Sequence, residues 1–114
     1  MKKTAVILGA GPLEGLGANL SLHAARAGLH VFISGRTESA LEKIASKITI
    51  EGGKATAVCA DATDSKEVHS LVERAEETGP IDLAIYNAGN AFPGDFITMS
   101  PIYFEDAWKV CTLG

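Results

Sequence analysis

The 114-residue sequence predicts an α/β fold with a partial, doubly wound parallel sheet. Short apolar runs alternate with segments of helical period, in the order βαβαβαβ followed by the start of a helix. A glycine-rich stretch follows the first run, and no repeat or low-complexity linker interrupts the alternation. Alternation of this kind predicts parallel strands joined by right-handed crossovers. In the dinucleotide-binding version of this fold the strand order would be 3-2-1-4.

Four apolar runs predict the strands. The first is short and continuously apolar, as expected of a strand that is buried on both faces of a sheet. The fourth has no later run to pair with it, so we expect it to be an uncovered edge. The four predicted strands are residues 4–8, 30–34, 55–59 and 81–86.

The first two helices have clear boundaries. Residues 15–27 form the first, which Gly28 would close at the position after the C-cap. Thr37 is the predicted N-cap of the second. The apolar side chains that follow Thr37 recur at helical spacing and so predict one buried face, made by Leu41, Ile44, Ala45 and Ile48.

The third and fourth helices begin at polar residues. Asp64 and Glu67 have the spacing of a capping box, and Gly79-Pro80 ends the third helix. Ser100-Pro101 would open the fourth as N-cap and first helical residue. The fourth helix carries apolar side chains at helical spacing, namely Phe104, Trp108 and Cys111.

Composition excludes several classes of function. The chain has 14 acidic and 10 basic residues and a net charge of −4, which argues against nucleic acid, and the scattered lysines form no polybasic membrane patch. The first apolar run is too short for a signal peptide, and no run approaches a membrane span. Cys59 and Cys111 match no metal-ligand spacing, so we predict no metal and interpret both as reduced thiols of a cytoplasmic protein, with a disulfide as the alternative.

The glycine-rich stretch between the first strand and the first helix predicts a phosphate-binding loop. The pattern G-x-x-x-G-x-G fits Gly11, Gly15 and Gly17, with Gly9 and Leu16 in the same segment. Glycines at this point let the backbone approach a pyrophosphate, whose charge lies at the helix N-terminus. The alternative is a tight turn without a ligand. Because a carboxylate would repel a pyrophosphate, Glu14 must point away from the ligand if the prediction holds.

The residues after the second strand favour NADP over NAD. An acidic side chain there would bind the adenosine ribose hydroxyls of NAD, but the sequence has Ser34-Gly35-Arg36. Arg36 could bind the 2′-phosphate of NADP, with Ser34 beside it. The alternative is that Arg36 is a solvated surface residue.

Further motifs identify a family resemblance. Asp61-Ala62 follows the third strand, Asn87-Ala88-Gly89 closes the fourth, and Trp108 lies on the next predicted helix. Together with the glycine loop, these resemble the short-chain dehydrogenases/reductases over essentially the whole chain. The resemblance implies a Rossmann-type sheet, an NAD(P) cofactor and hydride transfer to or from a carbonyl or alcohol substrate.

The resemblance also assigns roles to the marker residues. It implies that Asp61 and Ala62 contact the adenine, and that Asn87, Ala88 and Gly89 lie along the cofactor. For Asp61 the alternative is a carboxylate that caps its own loop, and for Asn87 a structural tether between strands. The fourth helix would line an oligomer interface, which predicts a homo-oligomer.

The sequence departs from the family pattern in three ways. The loop is two residues longer than usual when counted from Gly9, and Cys111 takes the place of an asparagine that supports the family's proton relay. The family's Tyr-x-x-x-Lys is also missing, because the positions four residues after Tyr86 and Tyr103 are Asn90 and Ala107.

We therefore assign no catalytic residue within this chain. We expect residues 1–114 to form a single dinucleotide-binding domain, the N-terminal half of a longer oxidoreductase whose catalytic serine, tyrosine and lysine lie outside it. Alone, this chain should bind the cofactor without turnover. The alternative is a non-catalytic NADP(H)-binding module or a truncated remnant.

Overall fold

The computed structural model describes residues 2–88 and, beyond them, residues 102, 105 and 109. Over residues 2–88, three helices alternate with four strands. In chain order these are β1 (Thr4–Leu8), α1 (Leu16–Arg26), β2 (His30–Gly35), α2 (Glu38–Ile50), β3 (Lys54–Cys59), α3 (Ser65–Thr78) and β4 (Ile81–Tyr86). Of the predicted fourth helix, Ile102 and Glu105 are helical, whereas Phe104, Trp108 and Cys111 lie outside the described residues, as does Gly89.

The four strands form one parallel sheet in the order β3-β2-β1-β4, which confirms the predicted topology. Leu8 of β1 is level with Ser34 of β2 on one side and with Tyr86 of β4 on the other. Gly35 of β2 is level with Cys59 of β3. The carboxyl ends of all four strands therefore meet at one edge of the sheet.

Alternating side chains of β1 belong to two separate cores. Ala5 and Ile7 pack with α1 and α2 on one face of the sheet, whereas Val6 packs with Phe32 and Leu71 of α3 on the other. Both faces of β1 are thus covered. This is the physical reason why its sequence is continuously apolar rather than alternating.

The helix ends follow the sequence with two differences. Gly28 follows the C-cap Ala27 of α1, as predicted. Thr37 is the N-cap residue of α2, but its side chain makes no capping hydrogen bond. Asp64 caps α3 by accepting from the backbone N–H groups of Lys66 and Glu67, yet the capping box is incomplete because the Glu67 carboxylate accepts from Asp61 instead of Asp64.

The fourth strand lies at the edge of the described sheet. Its Asp82, Leu83, Ala84 and Tyr86 are exposed, unlike the residues of β1 and β2, which are mostly buried. Among residues 2–88 the sequence-based expectation of an uncovered fourth strand is therefore confirmed.

The turn after β1 is tied to both neighbouring strands. The carbonyl oxygen of Ser34 accepts from the backbone N–H groups of Gly9 and Ala10, at 2.9 and 2.8 Å. On the other side, the Asn87 side-chain amide donates to the carbonyl of Gly9 at 3.0 Å, and its backbone N–H donates to Leu8 at 2.7 Å. Asn87 thus ties the end of β4 to the turn after β1, which is the structural role that the sequence analysis gave as an alternative.

Two glycines permit this close packing. Gly9 has φ +84°, and a Cβ there would overlap the backbone nitrogen of Ala88. Gly17, at the start of α1, lies under the turn, where a Cβ would overlap the carbonyl oxygen of Ala10. Side chains at either position would push the turn away from the sheet.

We expect Gly9→Ala to destabilise the protein more than Gly11→Ala. Both residues have positive φ, at +84° and +71°, so each substitution should cost about 1–2 kcal/mol of backbone strain. Only Gly9→Ala also places a methyl group against Ala88, which should add about 1–3 kcal/mol of overpacking. Urea unfolding of the two variants measures the difference, and equal destabilisation would contradict the packing described for Gly9.

His30 lies at the amino end of β2 among other cations. Its ring stacks on Phe32 with the ring centroids 4.8 Å apart, and Nε2 lies 2.8 Å from the Thr56 hydroxyl. Partial burial, followed by the charges of Lys2 and Lys54, lowers the pKa of His30 below its ordinary value. The charged imidazolium is therefore disfavoured in the folded state.

This lowered pKa predicts that stability falls as pH falls below about 6.5. Between the ordinary pKa and the lower folded pKa, the unfolded chain binds more protons at this site, so acid favours unfolding. His30→Gln should make the free energy of unfolding less dependent on pH in this range. Lys54→Gln should reduce the dependence only in part, because burial is the larger cause. An unchanged pH slope in His30→Gln, measured by urea unfolding, would refute this account.

Candidate functional site

A cleft of about 560 Å³ opens at the carboxyl edge of the sheet. Every strand contributes to it through the loop that follows the strand, and the first turn of α2 forms part of its wall. The cleft is lined by Gly9, Gly11, Pro12, Gly35, Arg36, Thr37, Ala40, Leu41, Ala60, Asp61, Ala62, Asn87 and Ala88.

Most of the residues singled out from the sequence line this cleft. Residues after all four strands contribute, although they are up to 79 positions apart in the chain. The predicted residues that line the cleft are Gly9, Gly11, Arg36, Asp61, Ala62, Asn87 and Ala88. Gly15, Leu16, Gly17 and Ser34 do not line it, and Gly89 lies outside the described residues.

Ser34 is fully buried, contrary to its expected place beside a cofactor. Alternation along β2 puts its side chain on the same face as Phe32, which packs against α3. The Ser34 hydroxyl has no hydrogen-bond partner in the described part of the chain. Ser34 contributes to the site through its backbone carbonyl, which accepts hydrogen bonds from the N–H groups of Gly9 and Ala10.

The other three predicted residues form the beginning of α1. Gly15 is the N-cap and donates its N–H to the carbonyl of Pro12 at 2.9 Å, closing a turn. Leu16 is exposed, whereas Gly17 is buried under the turn. No side chain caps this end of α1, so the first N–H groups of the helix remain available to an anion. Glu14 is exposed and does not line the cleft, as the sequence analysis required.

The side of the cleft formed by the β2–α2 connection is cationic. Arg36 is exposed on the cleft wall, and its guanidinium makes no ion pair within residues 2–88. Thr37 follows on the same wall, and because its hydroxyl does not cap α2, that hydroxyl is free to bind a ligand. Sequence reasoning missed Thr37 as a site residue since it assigned the hydroxyl to helix capping.

Asp61 lines the cleft from the loop after β3, the strand next to β2, and its carboxylate is held in place. Its Oδ1 accepts from the Thr63 N–H at 2.9 Å and from the Thr63 hydroxyl at 2.7 Å. The Thr63 N–H, then its hydroxyl, lower the pKa of Asp61 against the opposing effect of partial desolvation, and the charge of Arg36 lowers it further. Asp61 thus caps its own loop and also lines the cleft, so the two interpretations left open by the sequence are compatible.

The remaining lining residues were not predicted and have little polar chemistry of their own. Ala40 and Leu41 face the cleft from the first turn of α2, and Pro12, Gly35 and Ala60 adjoin predicted residues. Helical periodicity after Thr37 could have identified Ala40 and Leu41. Their contribution is an apolar wall of the kind found in small-molecule sites.

The described residues contain no metal-ligand cluster and no membrane-spanning helix. No cluster of three histidine, cysteine or carboxylate side chains there could hold a metal ion. In the same part of the chain, the helices are too short or too polar to cross a membrane. Cys59 is an exposed free thiol.

Comparison with known proteins identifies relatives along almost the whole chain. The sequence profile of the short chain dehydrogenase family matches residues 3–114. The chain is 40% identical over 108 residues to the glycine betaine reductase of Emericella nidulans, covering 94% of this chain and 8% of that protein. It is 35% identical over 107 residues to an uncharacterized oxidoreductase of Mycobacterium tuberculosis, covering 93% of this chain and 40% of that protein.

Solved structures agree with this assignment. A 3-ketoacyl-ACP reductase of Sinorhizobium meliloti superimposes with a TM-score of 0.84 at 29% identity, covering 96% of this chain and 43% of that one. A 3-oxoacyl (acyl-carrier-protein) reductase of Agrobacterium tumefaciens, solved with NADP bound, gives a TM-score of 0.82 at 25% identity, with coverages of 96% and 42%. The chain spans less than half the length of each of these four relatives. By its profile match and by its fold, this chain belongs to the short-chain dehydrogenase family.

Proposed function

We propose that residues 1–114 form a single dinucleotide-binding domain of an NADP(H)-dependent oxidoreductase. The protein would move hydride between the nicotinamide and a carbonyl or alcohol substrate. The observation that carries this proposal is that one cleft is lined by the glycines of the turn after β1, by Arg36 and by Asp61. The Arg36 guanidinium makes no ion pair within residues 2–88, and the Asp61 carboxylate is held by Thr63. NADP(H) supplies the hydride chemistry when bound, and this chain binds and orients it.

The pyrophosphate would bind between the turn after β1 and the beginning of α1. Gly11 lines the cleft, and the space where its Cβ would lie is open, so a phosphate can approach the backbone there. The uncapped N–H groups of α1 add hydrogen-bond donors and the positive end of the helix dipole. Gly15, Leu16 and Gly17 contribute through this helix end rather than as walls of the cleft.

The 2′-phosphate would bind at Arg36 and Thr37. A guanidinium that makes no ion pair in the described part of the chain can donate two parallel hydrogen bonds to a phosphate. The neighbouring Thr37 hydroxyl can donate a third, because it is not used as a helix cap. Within the described residues no acidic side chain follows directly on β2, where one would favour NAD.

The adenine would lie against Asp61 and Ala62 at the carboxyl end of β3. A carboxylate can accept a hydrogen bond from the exocyclic amine of adenine, and Asp61 has one oxygen, Oδ2, with no partner in residues 2–88. Asn87 and Ala88 line the opposite end of the cleft, where the Asn87 side-chain amide donates to the carbonyl of Gly9. Gly89 would continue this wall.

We assign no catalytic residue within this chain. The groups that transfer the proton in the reaction are proposed to lie outside it. Neither tyrosine is followed by a lysine at the fourth position. The coverage of the relatives, 8–43% for the four named above, supports the view that this sequence is the N-terminal part of a longer protein. We also propose that the protein acts in the cytoplasm, where thiols such as that of Cys59 stay reduced, and that it forms a homo-oligomer, as the family resemblance implies.

Arg36→Ala should lower the affinity for NADPH by about tenfold or more and leave the affinity for NADH nearly unchanged. The reason is that only NADPH carries the 2′-phosphate that Arg36 would bind. Fluorescence titration of the nicotinamide with each dinucleotide gives both dissociation constants. Arg74→Ala, which removes an exposed arginine of α3 that does not line the cleft, is the matched control.

An unchanged ratio of the NADPH and NADH affinities in Arg36→Ala would contradict the assignment of the 2′-phosphate site. Equal losses of NADPH affinity in Arg36→Ala and Arg74→Ala would contradict it too, because the effect would then reflect net charge alone. If neither dinucleotide binds to the unmodified protein, the proposed function is wrong.

A further inference from the structure

The loop that carries Asp61 is closed by four hydrogen bonds. Two come from Thr63, whose N–H and hydroxyl both donate to Asp61 Oδ1, at 2.9 and 2.7 Å. The backbone of Asp61 is held as well, since its carbonyl accepts from Asp64 at 3.0 Å and its N–H donates to Glu67 Oε2 at 3.2 Å. Main chain and side chain of Asp61 are therefore both fixed.

This arrangement explains why the predicted capping box of α3 is incomplete. The backbone N–H of Asp64, which Glu67 would bind in a capping box, already donates to Asp61. Glu67 reaches past it to the N–H of Asp61. The beginning of α3 thus holds a residue of the cleft in addition to capping the helix.

We propose that Thr63 is a positioning residue that makes the cleft select a 6-aminopurine over a 6-oxopurine, acting through Asp61. This inference rests on the proposed function and specifies the base that the cofactor must carry. Thr63 occupies Oδ1 with two donors, which leaves Oδ2 as the oxygen of Asp61 that a ligand can use. Thr63 itself does not line the cleft.

The selectivity follows from the direction of the hydrogen bond. Adenine presents an exocyclic amine, which donates to a carboxylate, whereas hypoxanthine presents a carbonyl oxygen there, which repels one. A carboxylate that rotates freely could turn toward the adjacent N1–H of hypoxanthine and recover a hydrogen bond. A carboxylate held by Thr63 cannot turn, so it discriminates between the two bases.

The test compares NADPH with its hypoxanthine counterpart, reduced nicotinamide hypoxanthine dinucleotide phosphate. Both dissociation constants are measured by nicotinamide fluorescence for the unmodified protein and for Thr63→Val, Thr63→Ser and Thr78→Val. Thr63→Val keeps the shape of the side chain and removes its hydroxyl, whereas Thr63→Ser keeps the hydroxyl. Thr78→Val removes a hydroxyl that donates to Arg74 within α3 and is the matched control.

We expect the unmodified protein to prefer NADPH by about tenfold. Thr63→Val should reduce the preference to about threefold or less, mainly by weakening NADPH binding, and Thr63→Ser and Thr78→Val should retain it. Equal weakening of both dinucleotides in Thr63→Val would show a merely structural role and overturn the inference. No preference in the unmodified protein would also overturn it while leaving the proposed function intact, whereas failure to bind either dinucleotide would overturn both.

Discussion

The carbonyl oxygen of Ser34 organises the site, because it accepts hydrogen bonds from two successive N–H groups of the turn after β1. Those groups would otherwise be unpaired at the end of a buried strand, where an unsatisfied donor costs about 1–3 kcal/mol. The two bonds draw the turn against β2, and Asn87 holds it against β4 from the other side. The glycine loop therefore lies across the carboxyl edge of the sheet, and the cleft opens beside it.

This constraint explains features of the sequence that are otherwise separate. The turn can lie so close to the sheet only if residue 9 has no side chain to meet Ala88, and α1 can start beneath it only if residue 17 has none. Asn87 is needed for its amide, which reaches the carbonyl of Gly9. Gly9, Gly17 and Asn87 are thus parts of one packing arrangement, and their first role is structural whether or not a ligand is bound.

The sequence predicted the sheet well because its signals were local and consistent. The short apolar run of β1, which Gly9 ends, favours a buried strand, and the spacing of Leu41, Ile44 and Ile48 favours a helix. Parallel crossovers then restrict the strand order. The site was predicted less completely. Alternation along β2 buried Ser34, although its place beside Arg36 suggested a ligand contact. Thr37 and Thr63 were missed because the roles proposed for them depend on hydrogen bonds that are made, or left unmade, in the folded chain.

We propose that the turn after β1, the Arg36 wall and the Asp61 loop form one dinucleotide site. Titration of the ¹⁵N-labelled protein with NADPH, followed through its backbone amide signals, tests this most directly. We expect saturable shifts concentrated at Gly11, Arg36, Thr37 and Ala62, with little change at the far end of α3 around Glu77. Saturable shifts confined to residues outside the cleft, or none at millimolar NADPH, would contradict it.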